Sequence, residues 1–277
     1  MSRVDLPLPQ VRALGQTGRR DTWWITPVAV FLGLSAFIVY STWAALQGGH
    51  YWFGGGGASY LSPFYSPEVI GHSPHAWVKL EGERPGWWPA WMVFSPALLI
   101  LWAPGLFRFT CYYYRGAYYK AFWADPPTCA VGEPGFRRAR YRGERWLPLV
   151  LQNSHRYFLY LALLFLVFLS YDAVLAYRFH DEAGHARFGV GLGSLVLTIN
   201  PILLGAYTLG CHSLRHLVGG RHDELARRPV QEGAYRCVSC LNKRHMRWAW
   251  FSLFWVGFTD FYVRMCSMGV WSDLRLI

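Results

Sequence analysis

Long apolar runs, separated by arginine-rich or glycine-rich connections, set the frame of this chain. Five of them reach the roughly 20 residues a helix needs to cross a bilayer: residues 23–47, 87–107, 147–170, 188–211 and 245–266. Tryptophans crowd their ends, as at Trp23-Trp24, Trp87-Trp88, Trp248 and Trp250, in the manner of interfacial aromatic belts. The pattern predicts an all-α integral membrane protein, a bundle of five transmembrane helices forming one membrane domain over residues 1–277. Its main basic connections are 108–146 and 212–244. Inside the fourth run Ser194, Thr198, Pro201, Gly205, Thr208, His212 and His216 recur every three or four residues, and inside the fifth His245, Ala249, Ser252 and Thr259 do the same. Small and polar stripes of this kind face other helices rather than lipid. His212, His216 and His245 are therefore expected to point inward together.

Composition supports a membrane chain. Aromatic residues make up 18% and charged residues 16%, against about 25% charged in ordinary soluble domains. A net charge of +11 is not organised into a nucleic-acid motif and is better explained by topology. Counting Lys and Arg, twenty fall in the N-terminal tail and in the stretches from Arg108 to Arg145 and from Arg215 to Arg247, and six fall on the other side. This bias puts the N-terminus in the cytoplasm and the C-terminus outside, in a multi-pass membrane protein. Arg19-Arg20 ahead of an apolar run resembles a twin-arginine signal, but the run is too long for a signal core and is read as a retained first span. The segment 108–123 reads as an aromatic, basic interfacial helix. The outer loop 48–85, with Gly54 to Gly57 and several prolines, reads as irregular, with little chemistry of its own.

Sorted by side, the metal-ligating residue types gather on the basic face: Cys111, Cys129, His155, Cys211, His212, His216, Cys237, Cys240 and His245. His155 stands out, because an ionisable group about two turns inside a span is costly and points to function. His50, His72, His75, His180 and His185 lie in outer loops and are expected to be solvated, while Cys266 reads as packing. Asp260 and Arg264 are spaced to pair on one helix face, and Asp172 is within reach of the interface. The residues alone leave several centres open. A haem b needs two histidines from facing helices, a Rieske-type [2Fe–2S] cluster needs two thiolates and two imidazoles, and zinc is possible through Cys237-Val-Ser-Cys240 with Cys211 and a histidine. A cofactor-free anchor or a transporter is the alternative from another class.

Several motifs carry a further likeness. They are the run from Phe109 to Trp123, Cys129-Ala-Val with Glu133-Pro134, Asn153-Ser-His-Arg-Tyr157, Gly210-Cys-His-Ser-Leu-Arg-His216 and His245-Met-Arg-Trp-Ala-Trp250. Together they resemble the single membrane-anchor subunit of the actinobacterial-type succinate dehydrogenase, the type F respiratory complex II of the tricarboxylic acid cycle. That resemblance implies a subunit of succinate:quinone oxidoreductase whose flavin catalytic site is on another chain. It implies a flavoprotein subunit and an iron–sulfur subunit docked on the cytoplasmic face, a Rieske-type [2Fe–2S] cluster within the anchor instead of haem b, and electron delivery to menaquinone or ubiquinone in membrane lipid. The first choice of cluster ligands is Cys111 and Cys129 with His155 and His216, with His212, His245 and Cys211 in reserve. Arg156, Tyr157, Trp248 and Ser252 are the candidates for a quinone site. No role in nucleic-acid binding is expected.

Overall fold

The structure is a computed structural model that describes residues 22–123, 149–181, 183–220 and 227–277. The first apolar run forms α1 (Ile25–Gln47), after which the chain makes four short strands, β1 (Trp52–Gly55), β2 (Ala58–Leu61), β3 (Ile70–Gly71) and β4 (Val78–Lys79). The second run is not one helix: residues 87–95 are non-helical and are followed by α2 (Pro96–Ile100) and α3 (Trp102–Phe109). Prolines account for this, since Pro89 cannot sit in a helix interior and Pro96 occupies the first turn of α2, where its missing N–H costs nothing. Next come α4 (Tyr112–Phe122), α5 (Leu149–Asn153) and α6 (His155–Leu175), then β5 (Arg178–His180) and β6 (Ala186–Phe188). The chain ends with α7 (Leu192–Leu209), α8 (His212–Gly219), α9 (Pro229–Asn242) and α10 (His245–Ser267).

Among the described residues three helices, α1, α6 and α7, are long and apolar enough to cross a membrane. α10 matches α1 in length at 23 residues but carries Arg247, Asp260 and Arg264. The expected stripes are buried in part: Ser194, Pro201, Gly205 and Thr208 along α7 and Ala249, Ser252 and Thr259 along α10, while Thr198 is half-buried and His212 and His216 are exposed.

Among the described residues, packing gives two compact units, one formed by residues 22–38 with 109–123 and 149–153 and the other by residues 39–108 with 154–181, 183–220 and 227–277. In the first, the Phe31 and Phe122 rings meet at 4.9 Å. Tyr118 donates to the Phe109 carbonyl at 3.0 Å and accepts from Gln152 Nε2 at 3.4 Å. In the second, α7 packs along both α6 and α10.

The loop between α1 and α2 is ordered by polar contacts, contrary to the expectation of an irregular connection. Residues 61–68 are all buried, closing over the ends of the helices like a plug. Ser62 donates to Asp260, Ser66 donates to Asp172, and Tyr65 donates to the Ala44 carbonyl at 2.8 Å. Asp172 is thus tied to the loop rather than merely reaching an interface. Glu68, 1% exposed, accepts from Tyr51 at 2.8 Å and from the Ser73 amide at 3.2 Å. The hairpin of β1 and β2 turns at Gly56 and Gly57, both at positive φ, the backbone that two-residue hairpin loops require. At Gly57 a side chain would also collide with the His180 carbonyl, because His180 N–H donates to the Gly57 carbonyl at 2.9 Å. Asp273 near the C-terminus accepts from Tyr60 at 2.7 Å, Tyr262 at 2.6 Å and the Gly193 amide at 2.9 Å.

The expected Asp260–Arg264 pair forms at 3.4 Å with both side chains buried. Asp260 also accepts from Tyr40 at 2.6 Å, while Arg264 donates to the carbonyls of Gly49 at 2.8 Å and Ala44 at 3.3 Å. Its guanidinium lies 5.2 Å from the Trp43 ring centroid. Removing one partner of a buried pair leaves an uncompensated charge and costs about 3–5 kcal/mol. Asp260→Ala is therefore expected to lower the melting temperature of the purified complex markedly; melting within a degree of wild type would contradict this account of the pair.

His75 departs from the solvated reading of the outer histidines. Its Nε2 lies 2.8 Å from Ser59 Oγ and its Nδ1 4.0 Å from Asp172. Burial pushes its pKa below the usual 6.5, helped by Lys79 and opposed by the nearby Glu68 carboxylate. A histidine depressed in the folded state contributes stability that is complete above the unfolded value and lost as pH falls through the folded one. Melting temperature is expected to fall on acidification below pH 6.5, and His75→Gln is expected to flatten that slope.

Candidate functional site

The polar groups at the end where α7 finishes centre on a break in the helix. α7 stops at Leu209, and Cys211 takes an extended conformation (φ −67°, ψ 141°) as N-cap of α8, its sulfur accepting from the Ser213 amide at 3.3 Å. Gly210 permits the break and a close approach: a Cβ there would lie 3.1 Å from Leu241 Cβ, and Asn242 at the end of α9 donates to the Gly210 carbonyl at 2.8 Å. α8 and α9 are then locked by Arg215, which donates to Ser239 at 3.1 Å and Tyr235 at 2.9 Å.

The break reverses the expected orientation of this stretch. A continuous helix predicts His212 and His216 facing inward and the thiol turned aside. Instead Cys211 is 1% exposed and lies with its sulfur 3.0 Å from His155 Nε2, whereas His212 and His216 are exposed, with ring centroids 6.0 Å apart. His155 opens α6, after a second interruption at Ser154, rather than lying two turns inside a helix. It is 6% exposed and stacks on Phe107 at 4.7 Å with the rings 7° from parallel. Phe107 meets Tyr207 at 5.6 Å, and Tyr207 stacks on His245 at 4.9 Å. His245 and His212 both lie close enough to His155 to act on it electrostatically. One thiol and two imidazoles, from Cys211, His155 and His245, thus border a small aromatic core.

The other candidates fall as follows. Cys111 belongs to the first unit, where it is the buried N-cap of α4. Cys129 lies outside the described residues. Cys237 and Cys240 are exposed on α9, and Cys266 is buried against Val196 and Tyr262, the packing role expected of it. Arg156 and Tyr157 are exposed on α6, while Ser252 is buried. Trp248 turns its Nε1 into the protein, where it has no hydrogen-bond partner among the described residues. Among the described residues no three His, Cys, Asp or Glu side chains already stand in a metal-holding arrangement.

Two residues were missed in the sequence. Arg108 donates to Ser252 Oγ at 2.9 Å and to the Ala249 carbonyl at 3.3 Å, and its guanidinium lies 4.7 Å from the centroid of Tyr207. In the sequence it counts only as a topological charge, although an arginine closing an apolar run is a signal for a polar partner on a neighbouring helix. Tyr207, next to the polar stripe, gives no comparable signal. Ser59, His75 and Asp172 at the opposite end stand in a row that suggests a nucleophile and its base. The 4.0 Å gap between His75 and Asp172 exceeds a hydrogen bond, and Ser59 accepts from Trp52 Nε1 at 3.0 Å, so this is a packed polar contact.

Compared with known proteins, the chain matches the model of the family described as actinobacterial succinate dehydrogenase subunit SdhC over residues 25–269. Among solved structures, a chain of the Mycobacterium smegmatis Sdh1 complex in the apo form is 42% identical, with a TM-score of 0.81, covering 100% of this chain and 98% of that one. Comparison with curated proteins gives no match.

The burial of Cys211 against His155 is directly measurable by peptide-resolved maleimide labelling of the native complex. Cys211 is expected to react far more slowly than after denaturation, and His155→Ala is expected to speed its labelling. Rapid native labelling of Cys211 would contradict the geometry.

Proposed function

The chain belongs to the actinobacterial succinate dehydrogenase SdhC family and is a membrane subunit of a succinate dehydrogenase complex; from that premise we propose that it carries electrons from a soluble iron–sulfur subunit to a quinone. The supporting observation is the buried contact of His155 with Cys211, with His245 and His212 close by. Soft thiolate and borderline imidazole donors side by side are the ligand chemistry of a Rieske-type [2Fe–2S] cluster. The donor types fit such a group, which would supply one-electron chemistry at a potential raised by its imidazoles.

In this reading His155 holds one ligand position, and the 3.0 Å contact raises Cys211 from reserve to the first rank. His212, His216 and His245 are the candidates for the second imidazole, and Cys111 and Cys129 are carried forward from the sequence as further thiolates. Phe107 fixes the His155 ring by stacking, and His155 and Cys211 are both buried from water.

The quinone is proposed to lie against Trp248 and Ser252. Trp248 Nε1 is a buried donor with no partner among the described residues, suited to a quinone carbonyl oxygen, and Tyr207 offers an aromatic wall. Arg108 holds the Ser252 hydroxyl by donating to its oxygen. Arg156 and Tyr157, being exposed, can line only the approach. Converting quinone to quinol takes the two electrons released by succinate together with two protons. The flavoprotein and iron–sulfur subunits dock, on this proposal, at the basic face, which the arginine bias assigns to the cytoplasm, and menaquinone or ubiquinone enters from the lipid of the bacterial cytoplasmic membrane.

In the intact complex, His155→Ala and Cys211→Ala are each expected to abolish the rhombic EPR signal and succinate-driven quinone reduction while leaving succinate-driven reduction of a soluble dye. A haem Soret band in the wild type, with iron content unchanged in both variants, would overturn the cluster and favour haem b. Trp248→Phe removes one hydrogen bond of about 1.4 kcal/mol, so the KM for quinone is expected to rise about tenfold with dye reduction unchanged.

A further inference from the structure

α7 has two features at its midpoint that apolar packing does not explain. Pro201 is buried and has no N–H, so the carbonyl of Leu197, one turn earlier, loses its α-helical donor. Leu197 is itself 4% exposed, too deep for bulk solvent to replace that donor. Asn200, 2% exposed, has its side-chain Oδ1 buried without a hydrogen-bond partner among the described residues. Positions three residues apart share a helix face, so two acceptors stand on the same side of the same turn, Asn200 Oδ1 without a partner among the described residues and the Leu197 carbonyl without its helical donor. Buried acceptors are costly to leave unpaired, and breaks in membrane helices are commonly completed by ordered water.

Four side-chain donors of α10 and α7 are already committed among the described residues. On α10, Ser252 donates to the Ala249 carbonyl, Thr259 donates to the Trp255 carbonyl, and Trp255 Nε1 donates to the Val196 carbonyl. On α7, Thr198 donates to the Ser194 carbonyl at 2.7 Å. The site calls for a small neutral molecule with two hydrogens to give.

We propose that α7 binds a structural water at Asn200, which donates one hydrogen to Asn200 Oδ1 and the other to the Leu197 carbonyl. The water satisfies the proline break and hydrates the middle of α7. It stands independently of any cluster or quinone on this chain.

X-ray radiolytic hydroxyl-radical footprinting of the intact complex in H₂¹⁸O tests this, because radicals formed from a bound water oxidise its neighbours even when they are buried. The peptide carrying residues 197–201 is expected to take up ¹⁸O at an exposed-like rate in wild type. Asn200→Leu removes one acceptor and Pro201→Ala returns the donor to the Leu197 carbonyl, so each is expected to lower that rate several-fold. Both are to be read in complexes with wild-type melting and dye reduction; if Asn200→Leu does not assemble, the wild type and Pro201→Ala decide. Absence of labelling in wild type overturns the proposal, as does a rate unchanged in the variants. Labelling that changes when sodium is replaced by choline at constant ionic strength overturns it in favour of a bound cation.

Discussion

A bundle in lipid has no water with which to satisfy a buried polar group, so each one needs a partner inside the protein. The Asp260–Arg264 pair shows how far that requirement reaches. Its carboxylate gathers Tyr40 from α1 and Ser62 from the loop, and its guanidinium gathers two carbonyls from the end of α1 and the turn after it. The pair therefore joins α1, α10 and the plug. Asp172 repeats the arrangement through Ser66 at the end of α6.

The other end of α6, α7 and α10 obeys the same constraint with different chemistry. There the helices break, at Ser154 and at Gly210-Cys211, and each break places a ligand-type side chain in the interior. His155 and Cys211 satisfy each other at 3.0 Å, and Arg108 is taken up by Ser252, the Ala249 carbonyl and the Tyr207 ring. A polar cluster that rigid packing maintains is suited to hold a redox group, because its ligands lose little freedom on binding it.

How much of this is legible in sequence follows from the range of the interactions. The 3.6-residue period of α7 and α10 is local, so both polar stripes and the Asp260–Arg264 pair can be read directly from spacing. The plug cannot, because Ser62 and Asp260 are 198 positions apart and nothing local marks either as a partner. The second apolar run misleads because hydropathy ignores Pro89, Pro96 and Pro104, whose lost donors divide it. Cys211 misleads for a related reason: glycine at the end of a helical period is a stop signal, and reading through Gly210 carries the phase one turn too far. That one residue decides whether the thiol or the histidines face the protein.

The central claim is that imidazole from this chain ligates a redox cluster. Pulsed EPR on the reduced intact complex measures that contact most directly, through the hyperfine coupling of the ligating nitrogens. Strong ¹⁴N coupling on a rhombic [2Fe–2S] signal is expected, absent when His155 is replaced by alanine. A spectrum with only weak backbone nitrogen coupling, or one belonging to low-spin haem, would contradict the claim.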